Sequence, residues 1–126
     1  MQHLILVAIG GALGASGRHL ANMAALRLAG PHFPWGTMFV NITGSLAMGL
    51  LIGWLTRRTG GSTNELRLIL ATGFLGGFTT FSAFSLDFAV LWERGAASGA
   101  VIYAVSSVFL AILAVFVGLW IMRIAA

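Results

Sequence analysis

Four long apolar stretches, separated by short polar connections, make up nearly all of this chain. They run over residues 4–28, 36–56, 65–94 and 96–122. The second stretch has no charged residue over its whole length, and a helix rising about 1.5 Å per residue would span ~31 Å there, which matches the hydrocarbon core of a bilayer. The sequence therefore predicts an all-α membrane protein with four transmembrane helices.

The composition supports this interpretation. Of the 126 residues, 59% are hydrophobic and only 8% are charged, and a soluble domain could not keep so little charge on its surface. Residues 1–126 are therefore expected to form a single transmembrane domain in the lipid bilayer. No positive segment precedes the first stretch, so we predict an uncleaved first span. Ser62 or Thr63 is expected to cap the third helix.

The charges of the chain bear on its orientation. All seven basic residues are arginines, against three acids, and they form no cluster beyond Arg57 and Arg58, so no nucleic-acid partner is expected. Arginines beside membrane spans act as orientation signals. One side of the membrane would hold Arg57, Arg58, Arg67 and Arg123, and the other would hold Arg27, Arg94 and, near the end of span one, Arg18. So weak a bias permits insertion in both orientations, and antiparallel pairing of the chain with itself is our hypothesis. No internal repeat is convincing, so any symmetry must come from oligomerisation.

Polar and small residues mark the faces on which the spans meet. Gly10, Gly14 and Arg18 share one face of span one, and Asn41 and Ser45 begin a similar stripe on span two. Such stripes predict close helix packing. A carboxamide deep in a span must find partners, because an unsatisfied amide in an apolar medium costs ~2–7 kcal/mol. For Asn41 two alternatives stay open: an interhelical hydrogen bond and a place in the lining of a pore.

The segment "GGFTTFSAFS" at 76–85 is the most unusual part of span three. Its glycines and the pair Thr79 and Thr80 predict a break in the helix at mid-membrane, where freed carbonyl oxygens suit a cation. Phe81, Phe84 and Phe88 follow at helical spacing. Ring edges carry the positive end of the aromatic quadrupole, and together with the nearby hydroxyls they suit an anion.

Span four adds Tyr103 and Ser107, one turn apart on one face, which could complete a hydroxyl-lined path. Asp87 is the one acid inside a hydrophobic stretch, and it is expected either to pair with an arginine or to act as a proton site. No catalytic constellation is present: the histidines lie at span edges without the spacing of metal ligands, and no Ser-His-Asp set has a plausible context. The chain is not expected to be an enzyme.

Three segments carry a resemblance to a known family. "GGALGASGR" at 10–18, "GTMFVNITGSLAMG" at 36–49 and "GFLGGFTTFSAFS" at 73–85 resemble the signature segments of the small bacterial fluoride channels, the Fluc or CrcB family, in order and spacing. The resemblance implies an antiparallel, dual-topology homodimer in the bacterial inner membrane. It also implies two pores, selective for fluoride over chloride, that passively export fluoride and lower its toxicity.

The resemblance also implies roles for individual residues. Phe81 and Phe84 are similar to the rings whose edges meet the ion, and Asn41 to the amide that faces them. Gly76 and Thr79 resemble the positions whose main-chain carbonyls hold a structural sodium ion at the dimer centre. The remaining pathway positions are Arg18 near the aqueous vestibule, and Thr80, Ser82, Tyr103 and Ser107 along a polar track. Asp87 stands where relatives often have glutamate, and Ala111 replaces a serine found in some members.

Two other functions remain open at this point. A proton-coupled efflux carrier of the small multidrug type also has four spans and dual topology, but it needs a carboxylate at mid-membrane, and span one has none. A non-transporting assembly subunit of a larger membrane complex would show no ion flux when purified.

Overall fold

Four helical segments of the computed structural model, which describes residues 1–58, 61 and 63–125, are long and apolar enough to cross a membrane. They are Gln2–Ala29, Trp35–Leu55, Thr63–Glu93 and Ala97–Ile124, close to the predicted stretches. No strand occurs in the described ranges. The prediction of an all-α protein with four membrane spans is confirmed.

The third span consists of two half-helices. The first half contains α3 (Thr63–Leu66), a π-helix (Arg67–Leu75) and the short α4 (Gly76–Phe78). The second half is α5 (Phe81–Glu93). The other spans are α1 (Gln2–Ala29), α2 (Trp35–Leu55) and α6 (Ala97–Ile124).

The two half-helices are separated by two residues with extended backbone, Thr79 (φ −84°, ψ 157°) and Thr80 (φ −153°, ψ 122°), which we call the break. The predicted interruption of span three is therefore confirmed. The π-helix before it was not predicted, because π-helices are rare and residue composition does not reveal them.

The tryptophans lie where two membrane interfaces are expected. Trp35 begins α2 and Trp92 lies near the end of α5, which is the same side of the helix bundle. Trp54 and Trp120 lie near the opposite ends of α2 and α6. The guanidinium of Arg58 packs over the Trp54 ring, 4.1 Å from its centroid. Such aromatic belts are typical of membrane proteins, and the chain is a multi-pass membrane protein.

One contact and one predicted helix cap concern the connections between spans. A guanidinium nitrogen of Arg94 donates to the carbonyl oxygen of His32, which joins the end of α5 to the connection after α1. Ser62, one of the two predicted caps, lies outside the described residues, and Thr63 is the first residue of α3 rather than its cap.

Small residues bring pairs of spans into backbone contact. Gly10 and Gly14 are buried where α1 packs against the first half-helix. On the other side of the bundle, a Cβ atom on Gly118 of α6 would lie 2.6 Å from the carbonyl oxygen of Leu46 in α2. These approaches allow the dispersion contacts and interhelical hydrogen bonds on which membrane helices depend.

Replacing Gly14 by alanine is therefore expected to destabilise the protein, because the new methyl group would overlap the backbone of Phe74. Overpacking of this kind costs about 1–3 kcal/mol. Thermal unfolding in detergent should show a lower midpoint for Gly14→Ala. Gly99→Ala is the matched control, since its Cβ would meet only the Ala96 Cβ, at 3.8 Å. Equal midpoints for both variants would contradict the close contact.

Candidate functional site

Asn41 binds the backbone of the break from the side of α2. The Thr80 amide donates to Asn41 Oδ1 at 2.7 Å, and Asn41 Nδ2 donates to the Thr80 carbonyl at 3.0 Å. Both groups would otherwise lie unpaired in the membrane, at a cost of several kcal/mol each. A carboxamide has two N–H donors, and this pairing uses one of them. The interhelical bond expected for Asn41 is present, and one donor remains for a ligand.

The two threonines of the break cap the half-helices. Thr80 Oγ1 accepts from the Ala83 amide at 3.1 Å and so caps the start of α5. Thr79 Oγ1 donates to the Leu75 carbonyl at 2.8 Å. Ser82 Oγ lies 3.4 Å from Thr80 Oγ1. Because the Thr80 hydroxyl accepts from the Ala83 amide, its own hydrogen is left for donation either to Ser82 Oγ or to a ligand.

A cavity of about 230 Å³ lies beside the break, and we call it the inner cavity. It is lined by Asn41, Ser45, Thr79, Thr80, Phe81, Phe84, Ser107, Val108 and Ala111. Ser107 is only 3% exposed, and its hydroxyl has no hydrogen-bond partner among the described residues. A buried hydroxyl without a partner costs about 1–3 kcal/mol, so this one is suited to bind a ligand in the cavity.

Two phenyl rings, those of Phe81 and Phe84, line one side of the inner cavity. The centroids of Phe81 and Phe84 are 5.6 Å apart and the ring planes are tilted by 47°. Phe84 also packs on Tyr103, with centroids 5.2 Å apart. The Phe81 side chain is 76% exposed, so this side of the inner cavity is not covered by any other part of the single chain.

Tyr103 packs on Phe84 of the inner cavity and contacts Asp87 of a second cavity, of about 370 Å³, which we call the outer cavity. Tyr103 is fully buried, and its hydroxyl donates to Asp87 Oδ2 at 3.1 Å. Asp87 lines the outer cavity together with Thr37 and Arg94. The hydrogen-bond partner of Asp87 is therefore a tyrosine, not the arginine considered from sequence.

Arg18 lies on the other face of the break and lines neither cavity. Its Nε–H donates to the Gly77 carbonyl at 3.1 Å. Two neighbouring carbonyl oxygens, those of Gly76 and Thr79, accept no hydrogen bond from a residue that the structure describes. Gly76 is also exposed on the surface of the chain, at the level of the break.

The structure brings together five of the pathway residues inferred from sequence, namely Asn41, Thr80, Phe81, Phe84 and Ser107. Ser82, Tyr103 and Arg18 do not line the inner cavity. Ser82 contacts Thr80 and Tyr103 packs on Phe84, while Arg18 binds Gly77, two residues before the break. Ser45 also lines the inner cavity, although the sequence predicts only a role in helix packing for it. Its spacing of one helical turn from Asn41 was the signal that could have identified it.

A donor-lined cavity beside a broken helix, inside a bundle of membrane spans, is how a membrane protein replaces the hydration shell of a small ion. Fold and site together define a multi-pass membrane protein of the ion-transport class. The chain belongs to the CrcB-like family: the family model described as "CrcB-like protein, Camphor Resistance (CrcB)" matches residues 5–119. The resemblance seen in the sequence is confirmed.

Relatives extend over nearly the whole chain. The "Fluoride-specific ion channel FluC" of Mesorhizobium japonicum is 63% identical over 123 residues, covering 98% of both chains. The protein of the same name from Chelativorans sp. is 62% identical, again over 98% of both chains. A third, from Hyphomonas neptunium, is 54% identical over 98% of this chain and 97% of its own.

Proposed function

We propose that the chain is a passive, fluoride-selective ion channel that exports fluoride from the bacterial cytoplasm across the inner membrane. The observation that carries the proposal is the inner cavity, where unused hydrogen-bond donors meet two phenyl rings beside a broken helix. The names and the high identity of the relatives support fluoride as the ion.

Fluoride is small and tightly hydrated, so a path through the membrane must replace its water shell. Asn41 has one N–H to spare, and the hydroxyls of Thr80 and Ser107 can donate. The edges of the Phe81 and Phe84 rings add weaker positive contacts. None of these groups carries a full charge, so they admit the ion without trapping it, as conduction requires.

No energy source other than the membrane potential is needed for export. An interior-negative potential drives an anion outward by ~2.3 kcal/mol per charge per 100 mV. The outer cavity is lined by Asp87 and Thr37, and Asp87 accepts a hydrogen bond from Tyr103, whose ring packs on Phe84 of the inner cavity. The proposed path of the ion follows these contacts, and it requires the buried Tyr103 side chain to let the ion pass.

An antiparallel homodimer is the assembly that fits the exposed parts of the site. Phe81 leaves 76% of its surface uncovered, and Gly76 is exposed with an unpaired carbonyl oxygen at mid-membrane. Lipid cannot satisfy a carbonyl group. A second copy would cover both residues, and two-fold symmetry brings the same patch of each copy to the interface. The nearly balanced arginines permit the opposite insertion of the two copies.

The same argument supports a structural sodium ion at the dimer centre. The carbonyl oxygens of Gly76 and Thr79 fit such a site, because no donor among the described residues occupies them. Oxygen atoms from both copies would meet there by symmetry. A bound sodium ion would supply positive charge that stabilises these carbonyls at mid-membrane.

Fluoride efflux from liposomes tests the proposed function. Vesicles that contain the purified protein and are loaded with potassium fluoride should release fluoride rapidly once valinomycin lets potassium follow. Vesicles loaded with potassium chloride should retain their chloride under the same conditions. A proton-coupled carrier would instead show saturable turnover that depends on the pH gradient. An assembly subunit would release neither anion.

Dual topology predicts partial labelling from each side of the membrane. Because the chain has no cysteine, Asn64→Cys and Ser98→Cys each add one thiol. Both positions are exposed and uncharged, and they lie at opposite ends of the bundle, so the arginine bias is unchanged. In intact cells an impermeant maleimide should label about half of each variant, since both orientations would be equally populated. Complete labelling of one variant and none of the other would contradict dual topology.

A further inference from the structure

The guanidinium of Arg18 caps the first half-helix at the level of the break. Its Nε–H donates to the carbonyl oxygen of Gly77, at 3.1 Å. Gly77 belongs to α4, the last turn before the break, where carbonyl groups have no partner within the helix. The bond is charge-assisted, which makes it about twice as strong as a neutral one, and the C-terminal end of a helix also attracts positive charge.

The glycine face of α1 makes this contact possible. Arg18 follows Gly10 and Gly14 on the same face, and both glycines are buried against the first half-helix. A Cβ on Gly77 would lie 2.6 Å from the Gly11 carbonyl oxygen, so the two backbones are in contact. At this separation a side chain of α1 reaches a main-chain oxygen of the half-helix.

Two side chains therefore hold the backbone around the break from opposite sides. Arg18 binds Gly77 just before it, and Asn41 binds both main-chain groups of Thr80 within it. Between these two anchors lie Phe78 and Thr79, and Thr79 and Thr80 line the inner cavity. An arginine inside a membrane span is costly, and such residues are mostly functional.

We propose that Arg18 is a positioning residue of the ion pathway: through the Gly77 carbonyl it fixes the orientation of Thr79 and Thr80 without touching the ion. The proposal rests on the proposed function of the inner cavity. This role differs from that of a residue in the aqueous vestibule, because Arg18 acts through its hydrogen bond to a main-chain oxygen.

Two substitutions separate the hydrogen bond from the charge. Arg18→Gln places an amide nitrogen the same number of bonds from the backbone as Nε, so it keeps a donor and removes the charge. Arg18→Met has a similar length and neither donor nor charge. Fluoride efflux from liposomes is expected to stay within about fivefold of wild type for Arg18→Gln, since only the charge–dipole attraction is lost. Arg18→Met should lose about tenfold or more, as expected for a missing hydrogen bond to a charged group.

Carbonyl NMR reports on the contact itself. Only two Gly-Phe pairs occur in the sequence, Gly73-Phe74 and Gly77-Phe78. Labelling glycine carbonyls with ¹³C and phenylalanine amides with ¹⁵N therefore gives two one-bond carbonyl–nitrogen correlations. The Gly77-Phe78 correlation reports on the contact, and the Gly73-Phe74 correlation is an internal control. Arg18→Met should move the Gly77 carbonyl upfield and leave Gly73 in place, while Arg18→Gln should leave both near their wild-type shifts.

The outcomes decide between positioning and other roles. An unmoved Gly77 carbonyl in Arg18→Met, or wild-type flux in that variant, would overturn the proposal. So would an Arg18→Gln variant that loses flux while its Gly77 shift is unchanged, because the charge would then be what matters. If Arg18→Met does not fold, Arg18→Gln decides alone: an unmoved Gly77 carbonyl with flux within about fivefold of wild type supports the proposal, and a larger loss of flux with an unmoved carbonyl overturns it. A wild-type protein that conducts no fluoride would refute the function, while the Gly77 shift would still test the contact.

Discussion

Fluoride flux is expected to fall by about 100-fold or more when Phe84 is replaced by isoleucine, and a similar loss is expected for Phe81→Ile. Isoleucine keeps most of the volume but has no ring edge to offer to an anion. The scale is that of an enzyme oxyanion hole, where removal of one donor from a desolvated charge site costs about 10²–10³-fold in rate. Both rings line the inner cavity. The efflux rate from liposomes, normalised to the reconstituted protein, measures the effect.

The matched control for the phenylalanine variants is Phe116→Ile on α6. Phe116 is 65% exposed and lines neither the inner nor the outer cavity. Its substitution should leave flux near wild type. Unaltered flux in Phe81→Ile and Phe84→Ile would assign both rings to packing and would remove them from the pathway.

The second large effect is expected for Asn41→Leu, because Asn41 has two tasks. Leucine has nearly the same size, but it leaves the Thr80 amide and carbonyl without their partners. Each unsatisfied buried group costs about 1–3 kcal/mol, so the unfolding midpoint should fall. The amide that would face the ion is also lost, so flux should fall about 100-fold or more. Thermal unfolding and liposome efflux measure the two effects separately.

Thr43→Val is the control on the same helix. The Thr43 hydroxyl donates to the Phe39 carbonyl within α2 and lines neither cavity. Valine has the same shape, and both stability and flux should change little. If Asn41→Leu conducted like wild type, the inner cavity would not be the route of the ion.

The break was predictable from sequence, but the contacts that support it were not. Glycines followed by two threonines weaken a helix whatever surrounds them, so the interruption at Thr79 and Thr80 could be placed in advance. The π-helix before it packs against the glycine face of α1, and no local pattern in the sequence reveals a π-helix. The hydrogen bond from Arg18 to Gly77 links residues far apart in sequence and follows from that same packing.

Side-chain roles were predictable as types of chemistry rather than as partners. The sequence left Asn41 with two alternatives, and the structure shows why they are compatible: one N–H binds Thr80 and the residue also lines the inner cavity. From the sequence, Asp87 is expected either to pair with an arginine or to act as a proton site. Its hydrogen-bond partner in the structure is Tyr103. Tyr103 lies on the next helix, and the two side chains come together only because α5 packs against α6.

The proposed function requires uncharged donors beside a broken helix to select a bare fluoride ion over chloride. The most direct test is the reversal potential of the current through purified wild-type protein in a planar bilayer, with different fluoride concentrations on the two sides and chloride added to the dilute side. We expect a reversal potential that follows the fluoride gradient and does not respond when chloride is replaced by an impermeant anion. A reversal potential that shifts with chloride would contradict it.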